Sequence, residues 1–173
     1  PLVGTASDID AQLDEAVVLS GTVIDMLTGG PVRDVQVQVT DYDTGGWYGY
    51  AYTDENGEYS VNVPPNVDVR VYFDAADTNW YWSTEYLSLF YNGSYMWDGA
   101  FRVSVGTDPV TVNQALPTGT SITGTVTTGG MEPGGYVWVE AYLQVDGMSA
   151  YTATTQTGWA GTYDFGPLFP GEW

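Results

Sequence analysis

Residues 35–63, "VQVQVTDYDTGGWYGYAYTDENGEYSVNV", decide the fold. Val35, Val37 and Val39 alternate with polar residues, then a Gly-Gly turn leads into "WYGYAYT". A second turn, "DENG", leads into Tyr59, Val61 and Val63, again at every other position. Period-two alternation between Gly, Asn and Asp turns is the signature of half-buried antiparallel strands. The same pattern runs outward through "VDVRVYF" (67–73), "FRVSV" (101–105), "VTV" (110–112), "SITGTV" (121–126) and "YVWVEAY" (136–142). Only "SDIDAQLDEAVV" (7–18) carries apolar residues at roughly helical spacing. Turns at intervals of about 8–12 residues point to an all-β sandwich.

Composition narrows the chemistry. The 173 residues carry 22 Asp and Glu against Arg33, Arg70 and Arg102, with no Lys, for a net charge of −19. That field repels nucleic acid and anionic membrane surfaces. With so many acids present, each Arg is expected in an ion pair. The chain has no His and no Cys. Histidine-based or thiol nucleophile machinery, the usual zinc sites and disulfides are therefore excluded, and without Lys so are a Schiff base and a Lys–Asn crosslink. A carboxylate pair such as Asp74 or Asp77 with Glu85 is the remaining catalytic option. No apolar run is long enough to span a bilayer as a helix, so direct membrane insertion is not expected.

The sequence repeats itself. "LSGTV" (19–23) returns as "ITGTV" (122–126), and "TGG" (28–30) as "TGG" (128–130). Thr53, Gly57 and Tyr59 return as Thr157, Gly161 and Tyr163, and Pro65 as Pro170. Upstream, "VGT" (3–5) matches "VGT" (105–107). Ordered anchors at an offset of about 103 residues predict tandem units. The expected divisions are residues 1–18 as the closing strand of a preceding unit or a donor strand, 19–117 as the first sandwich, and 118–173 as a second. The second stops short of an equivalent of residues 68–104.

Gly21, Val23, Thr28, Gly29, Pro31, Val35, Val37, Thr53, Asp54, Gly57, Tyr59 and Pro65 follow one another in an order that resembles the carboxypeptidase regulatory-like domain. This is a transthyretin-like, seven-stranded Greek-key (Ig-like) β-sandwich related to the B-type repeats of bacterial surface proteins. Gly124, Val126, Thr157, Gly161, Tyr163, Pro170 and Gly171 carry the resemblance again. Two departures stand out: Asn66 replaces the usual Gly after Pro65, and Thr157-Gly158 replaces Thr-Asp. The resemblance implies a scaffold or adhesion module, extracellular or on the cell surface, without catalytic residues. It also implies adjacent repeats or copies of the chain as partners, head to tail, with strand complementation as one route of assembly.

Three sets of residues are candidates for binding. Asp41 and Asp43, with Asp54, Asn56 and Glu58, place oxygens at alternate positions in Gly turns, which suits calcium. The same residues also suit solvated hairpin corners. Trp80, Tyr81, Trp82, Tyr86, Phe90, Tyr91 and Trp97, joined by Trp173, form an aromatic set that either packs between units or stacks on glycans in an adhesin-like site. Asn92 begins an Asn-Gly-Ser acceptor for glycosylation.

Overall fold

The structure is a computed structural model, describing residues 15–75, 85–129, 134–145 and 148–169. It is all-β. The strands of the first half are β1 (Val17–Asp25), β2 (Gln36–Asp41), β3 (Trp47–Tyr52), β4 (Glu58–Val63), β5 (Val67–Asp74), β6 (Leu89–Phe90), β7 (Val103–Val105), β8 (Val110–Thr111) and β9 (Gln114–Leu116). In one sheet, β4 pairs antiparallel with β1, and β8 and β9 run parallel along the other edge of β1. In the other sheet the order is β3-β2-β5, with β6 and β7 sharing the far edge of β5. Strand β1 begins two residues before the expected boundary at 19.

Alternation places the core between the sheets. Leu19, Val23, Tyr59, Val61, Val63, Val112 and Leu116 from the first sheet meet Val37, Val39, Val69, Val71, Phe73 and Leu89 from the second. Each such side chain contributes roughly 1.5–3 kcal/mol when fully buried. The strand register leaves Gln36, Gln38 and Thr40 of β2, and Arg70, Tyr72 and Asp74 of β5, on the outer face. Gly21 permits one contact inside this frame. A Cβ there would sit 1.9 Å from the Val112 carbonyl oxygen, the same oxygen that accepts a 2.6 Å hydrogen bond from the buried Tyr59 hydroxyl.

The second half holds β10 (Thr123–Thr125), β11 (Trp138–Val145), β12 (Met148–Gln156) and β13 (Thr162–Asp164). β10 pairs with β13, and β11 forms a hairpin with β12. Its hydrogen bonds echo those of the first half. Val23 N–H to Gly57 carbonyl corresponds to Val126 N–H to Gly161 carbonyl, both 2.8 Å. Thr53 Oγ1 accepts from Val35 N–H and donates to the Val32 carbonyl; Thr157 Oγ1 accepts from Val137 N–H and donates to the Gly134 carbonyl. Gly57 and Gly161 both take positive φ, +73° and +76°, where a side chain would be strained.

The two halves meet through a fixed connector. Leu87 N–H donates to the Pro117 carbonyl and Gly119 N–H to the Glu85 carbonyl, while Thr120 and Leu168 exchange two backbone hydrogen bonds.

Gly21→Ala is expected to destabilise the fold by about 3 kcal/mol, because the obstructing atom is backbone and cannot rotate away. Thr53→Val should cost about 1–3 kcal/mol by orphaning the buried Val35 N–H. Urea unfolding of both variants against the parent measures these losses.

Candidate functional site

The acidic turns are closed by their own carboxylates. Asp41 accepts from Thr44 N–H (2.7 Å), Thr44 Oγ1 (2.7 Å) and Asp43 N–H, and its other oxygen accepts from the Tyr48 hydroxyl (2.9 Å). These donors, Thr44 N–H foremost, lower the Asp41 pKa to about 2. Asp54 Oδ1 accepts from Asn56 N–H and Glu58 N–H, the Asx turn that Asp favours at such corners. Asp43 pairs with Arg102 at 2.9 Å. The two turns lie at opposite ends of β3, roughly 20 Å apart at about 3.3 Å per residue, so Asp41 and Asp43 form one acidic corner and Asp54, Asn56 and Glu58 another. Among the described residues no group of three or more acidic side chains is arranged to hold a metal.

The aromatic set divides. Trp80, Tyr81, Trp82 and Trp173 lie outside the described residues. Tyr86 and Tyr91 pack on the core, and Phe90 is buried. The Tyr86 hydroxyl donates to Asp25 Oδ2 (2.8 Å), and burial first, then that carboxylate, pushes its pKa up to about 12. Asn92 is exposed on a short 3-10 turn, with its backbone N–H donated to Gln114 Oε1.

Trp97 remains at the surface and caps a stack. Its ring lies 4.1 Å from the Arg70 guanidinium, which lies 4.1 Å from Tyr42 on its other side; Arg102 covers the opposite arrangement with Tyr42 at 3.8 Å. Arg102 also donates to Asp68 (2.7 Å) and Asp43. Arg70 corrects the expectation that every Arg forms an ion pair. It has no carboxylate partner among the described residues, and its buried Nε and Nη1 have no hydrogen-bond acceptor. The reason is position: Arg70 projects from the outer face of β5 beneath the 91–102 excursion, where two aromatic rings occupy both faces of the guanidinium.

The outer face of this sheet was not singled out from the sequence. Trp47, Tyr50 and Tyr52 of β3 are exposed there, beside Thr40, Gln38 and Gln36 of β2. Gln36 Nε2 donates to the Tyr52 hydroxyl and Gln38 Nε2 to Gln36 Oε1, which chains the polar groups together. Neighbouring rings tilt at 49° for Trp47–Tyr50 and 88° for Tyr50–Tyr52. The face continues through Tyr72 into a cleft of about 410 Å³, with Ser88 and Tyr95 on one wall and Thr154, Asp164 and Phe169 on the other. The available signal was the alternation in "WYGYAY": its outward half is aromatic, whereas an outward half is normally polar.

No family model matches the chain, and no curated protein does. Solved structures with a similar course include the 5-hydroxyisourate hydrolase of Klebsiella pneumoniae, at 14% identity and TM-score 0.41, over 60% of this chain and 92% of that one. The major pilin subunit of Bacillus cereus matches at 15% identity and TM-score 0.42, over 58% of this chain and 29% of that one. A shaft pilin of Lactobacillus rhamnosus GG matches at 10% identity and TM-score 0.44, over 89% and 78%. The chain thus spans under a third of the Bacillus pilin. Likenesses this distant assign no activity or partner.

Acid should weaken the fold through the depressed carboxylates. Asp41 and Asp68 both titrate below their ordinary value, so their contribution is present above about pH 4 and is lost as pH falls toward 2. Melting temperature followed from pH 6 to pH 2 should fall in that window, and Asp41→Asn should flatten the fall. An equally steep fall in the variant would remove Asp41 from the account.

Proposed function

We propose that the chain is a stretch of a tandem β-sandwich array with a non-enzymatic, structural role at the cell surface. The observation that carries this reading is the connector between the halves. A flexible linker would leave Pro117–Ser121 solvated, but here backbone hydrogen bonds bind it to Glu85 and Leu87 on one side and to Leu168 on the other. Gly119 makes this close fit possible: a Cβ there would approach Pro167 Cβ to 2.5 Å and Leu87 Cδ2 to 2.9 Å. Tyr95 and Phe169 add a ring contact at 4.4 Å across the junction. Units joined in this way transmit orientation, as stacked repeats do.

The recurring hydrogen bonds support dividing the chain into sandwich units near residue 118, and the motif order supports their carboxypeptidase regulatory-like character. Adjacent units or further copies, head to tail, are the natural partners. β2 takes β5 on its second edge, whereas β11 pairs with β12 alone among the described residues, which leaves an edge where a neighbouring strand would add. The absence of His, Cys and Lys supports a non-enzymatic role.

Immuno-electron microscopy with an antibody to the chain tests the role. Label on the envelope or on surface appendages is expected, and label confined to the cytoplasm would overturn the proposal. Small-angle scattering tests the junction: the parent should fit one conformation, and Gly119→Val should enlarge the radius of gyration while residues 17–116 keep their melting transition. A parent that requires a broad ensemble of orientations would remove the carrying observation.

A further inference from the structure

We propose that the cleft at the junction, between the outer face of the β3-β2-β5 sheet and the β12–β13 side, binds a neutral oligosaccharide. Its size lies within the range of small-ligand sites, about 300–1,000 Å³, at about 410 Å³. Its lining has the two characters that a pyranose ring presents, an apolar C–H face and a periphery of hydroxyls that both donate and accept. Tyr95 is 41% exposed and braced by Phe169, so its ring is held at the mouth without being buried. Tyr72 packs on Phe90 at 4.8 Å, which fixes a second ring on the floor. The adjacent pair Thr154 and Thr155 turns one hydroxyl toward the cleft, since side chains alternate across β12. Ser88, whose hydroxyl donates to Asp74 and accepts from Ala75 N–H, lines it beside them. Asp164 uses Oδ1 to accept from Gly166 N–H (2.8 Å), and its Oδ2 meets no donor among the described residues, leaving an acceptor for a sugar hydroxyl.

Charge selects among ligands. Among the described residues the lining contains one carboxylate and no cation, within a chain of net charge −19, so phosphorylated, sulfated and uronic-acid ligands are repelled. A lone carboxylate cannot hold a divalent cation by itself, since calcium needs six to eight oxygens. A purely apolar ligand would cover the Asp164 carboxylate without offering a donor to its Oδ2. A neutral glycan meets every group present.

The floor also has a direction. Tyr72 is the cross-strand neighbour of Gln38, and Gln38 of Tyr50, so the cleft opens onto the amide and aromatic face of β2 and β3. The tilts of 49° and 88° between successive rings there rule out a flat platform for a crystalline polysaccharide surface. They suit one flexible sugar chain leaving the cleft across the sheet. The site needs the junction geometry but not the structural role, so surface localisation and sugar binding can fail separately.

Isothermal titration of the chain with cellohexaose, maltohexaose and chitohexaose, each to millimolar concentration, is the test. At least one should bind saturably. Tyr95→Ala should weaken that binding about tenfold, the loss of one stacked ring. Thr154→Val and Thr155→Val, combined in one variant, keep the side-chain volume and replace the hydroxyls by methyl groups, so the variant should weaken binding while its melting temperature stays near the parent's. Trp159→Ala, an exposed residue outside the cleft, should leave binding unchanged. The proposal is overturned if none of the three sugars binds, if Tyr95→Ala and the double Thr154→Val, Thr155→Val variant both bind as the parent does, or if polygalacturonate competes more strongly than the neutral sugars.

Discussion

The corner at Thr53 is the constraint on which the sandwich depends. The chain leaves the first sheet after the Val32 N–H to Val23 carbonyl bond and enters the second at Val35. It returns to the first sheet between β3 and β4, at Thr53. The buried Thr53 hydroxyl accepts from Val35 and donates to Val32, so it ties the outgoing crossing to the returning one. A hydroxyl is the smallest side-chain group that can do both at once. With the corner fixed, the sequence period of two carries every valine of β2 and β4 inward, and a slip of one residue would turn the whole set to solvent. Thr157 occupies the same place between Gly134 and Val137, with the same two bonds.

The strands were legible because their signal is local. Alternation in "VQVQV" and "EYSVNV" reports burial of one face, and Gly57 and Gly161 report turns that need positive φ. The recurrence of Thr and Gly was also legible, since Thr53 and Thr157 each bond two backbone groups and Gly57 and Gly161 each take a positive φ. Side-chain partnership was not. The torsions that aim an Asp side chain in a Gly turn leave no mark on spacing; Asp41 and Asp54 accept from backbone N–H groups two to four residues ahead. The aromatic set divided for a related reason. Tyr86 and Phe90 fall at paired positions against the sandwich, and Trp97 falls in the excursion between β6 and β7, where no period constrains it.

Arg70 shows how an acidic chain can keep a buried cation without giving it a carboxylate. An ion pair at that site would desolvate a second charge, and the Coulombic gain often fails to offset that cost. Two aromatic faces attract the guanidinium through their quadrupoles and bring no further charge under the excursion. Asp43 and Asp68 are paired with Arg102, which also stacks on Tyr42 and stays wet. One tyrosine therefore serves two cations, and the segment 95–101 is held to the sheet by stacking and not by its own strand pairing.

That fixed excursion and the connector act on the same space. Segment 91–102 carries Tyr95 out from the first sandwich, and residues 164–169 bring Phe169 and Asp164 to meet it. Among the described residues the walls share their frame through the connector, whose only ladder contacts are the single bridges Tyr86–Thr118 and Thr120–Leu168 beside the Gly119 fit. An array built only for length could join its units by a solvated linker and lose nothing in reach. Here backbone hydrogen bonds, a glycine with no room for a methyl group and an aromatic contact are all spent on one relative orientation. A junction specified at that level does two things at once: it fixes how the two halves of the described chain meet, and it frames the cleft between them. Rigidity of that kind is what a weak ligand needs, since every wall already in place is ordering entropy that binding does not have to supply.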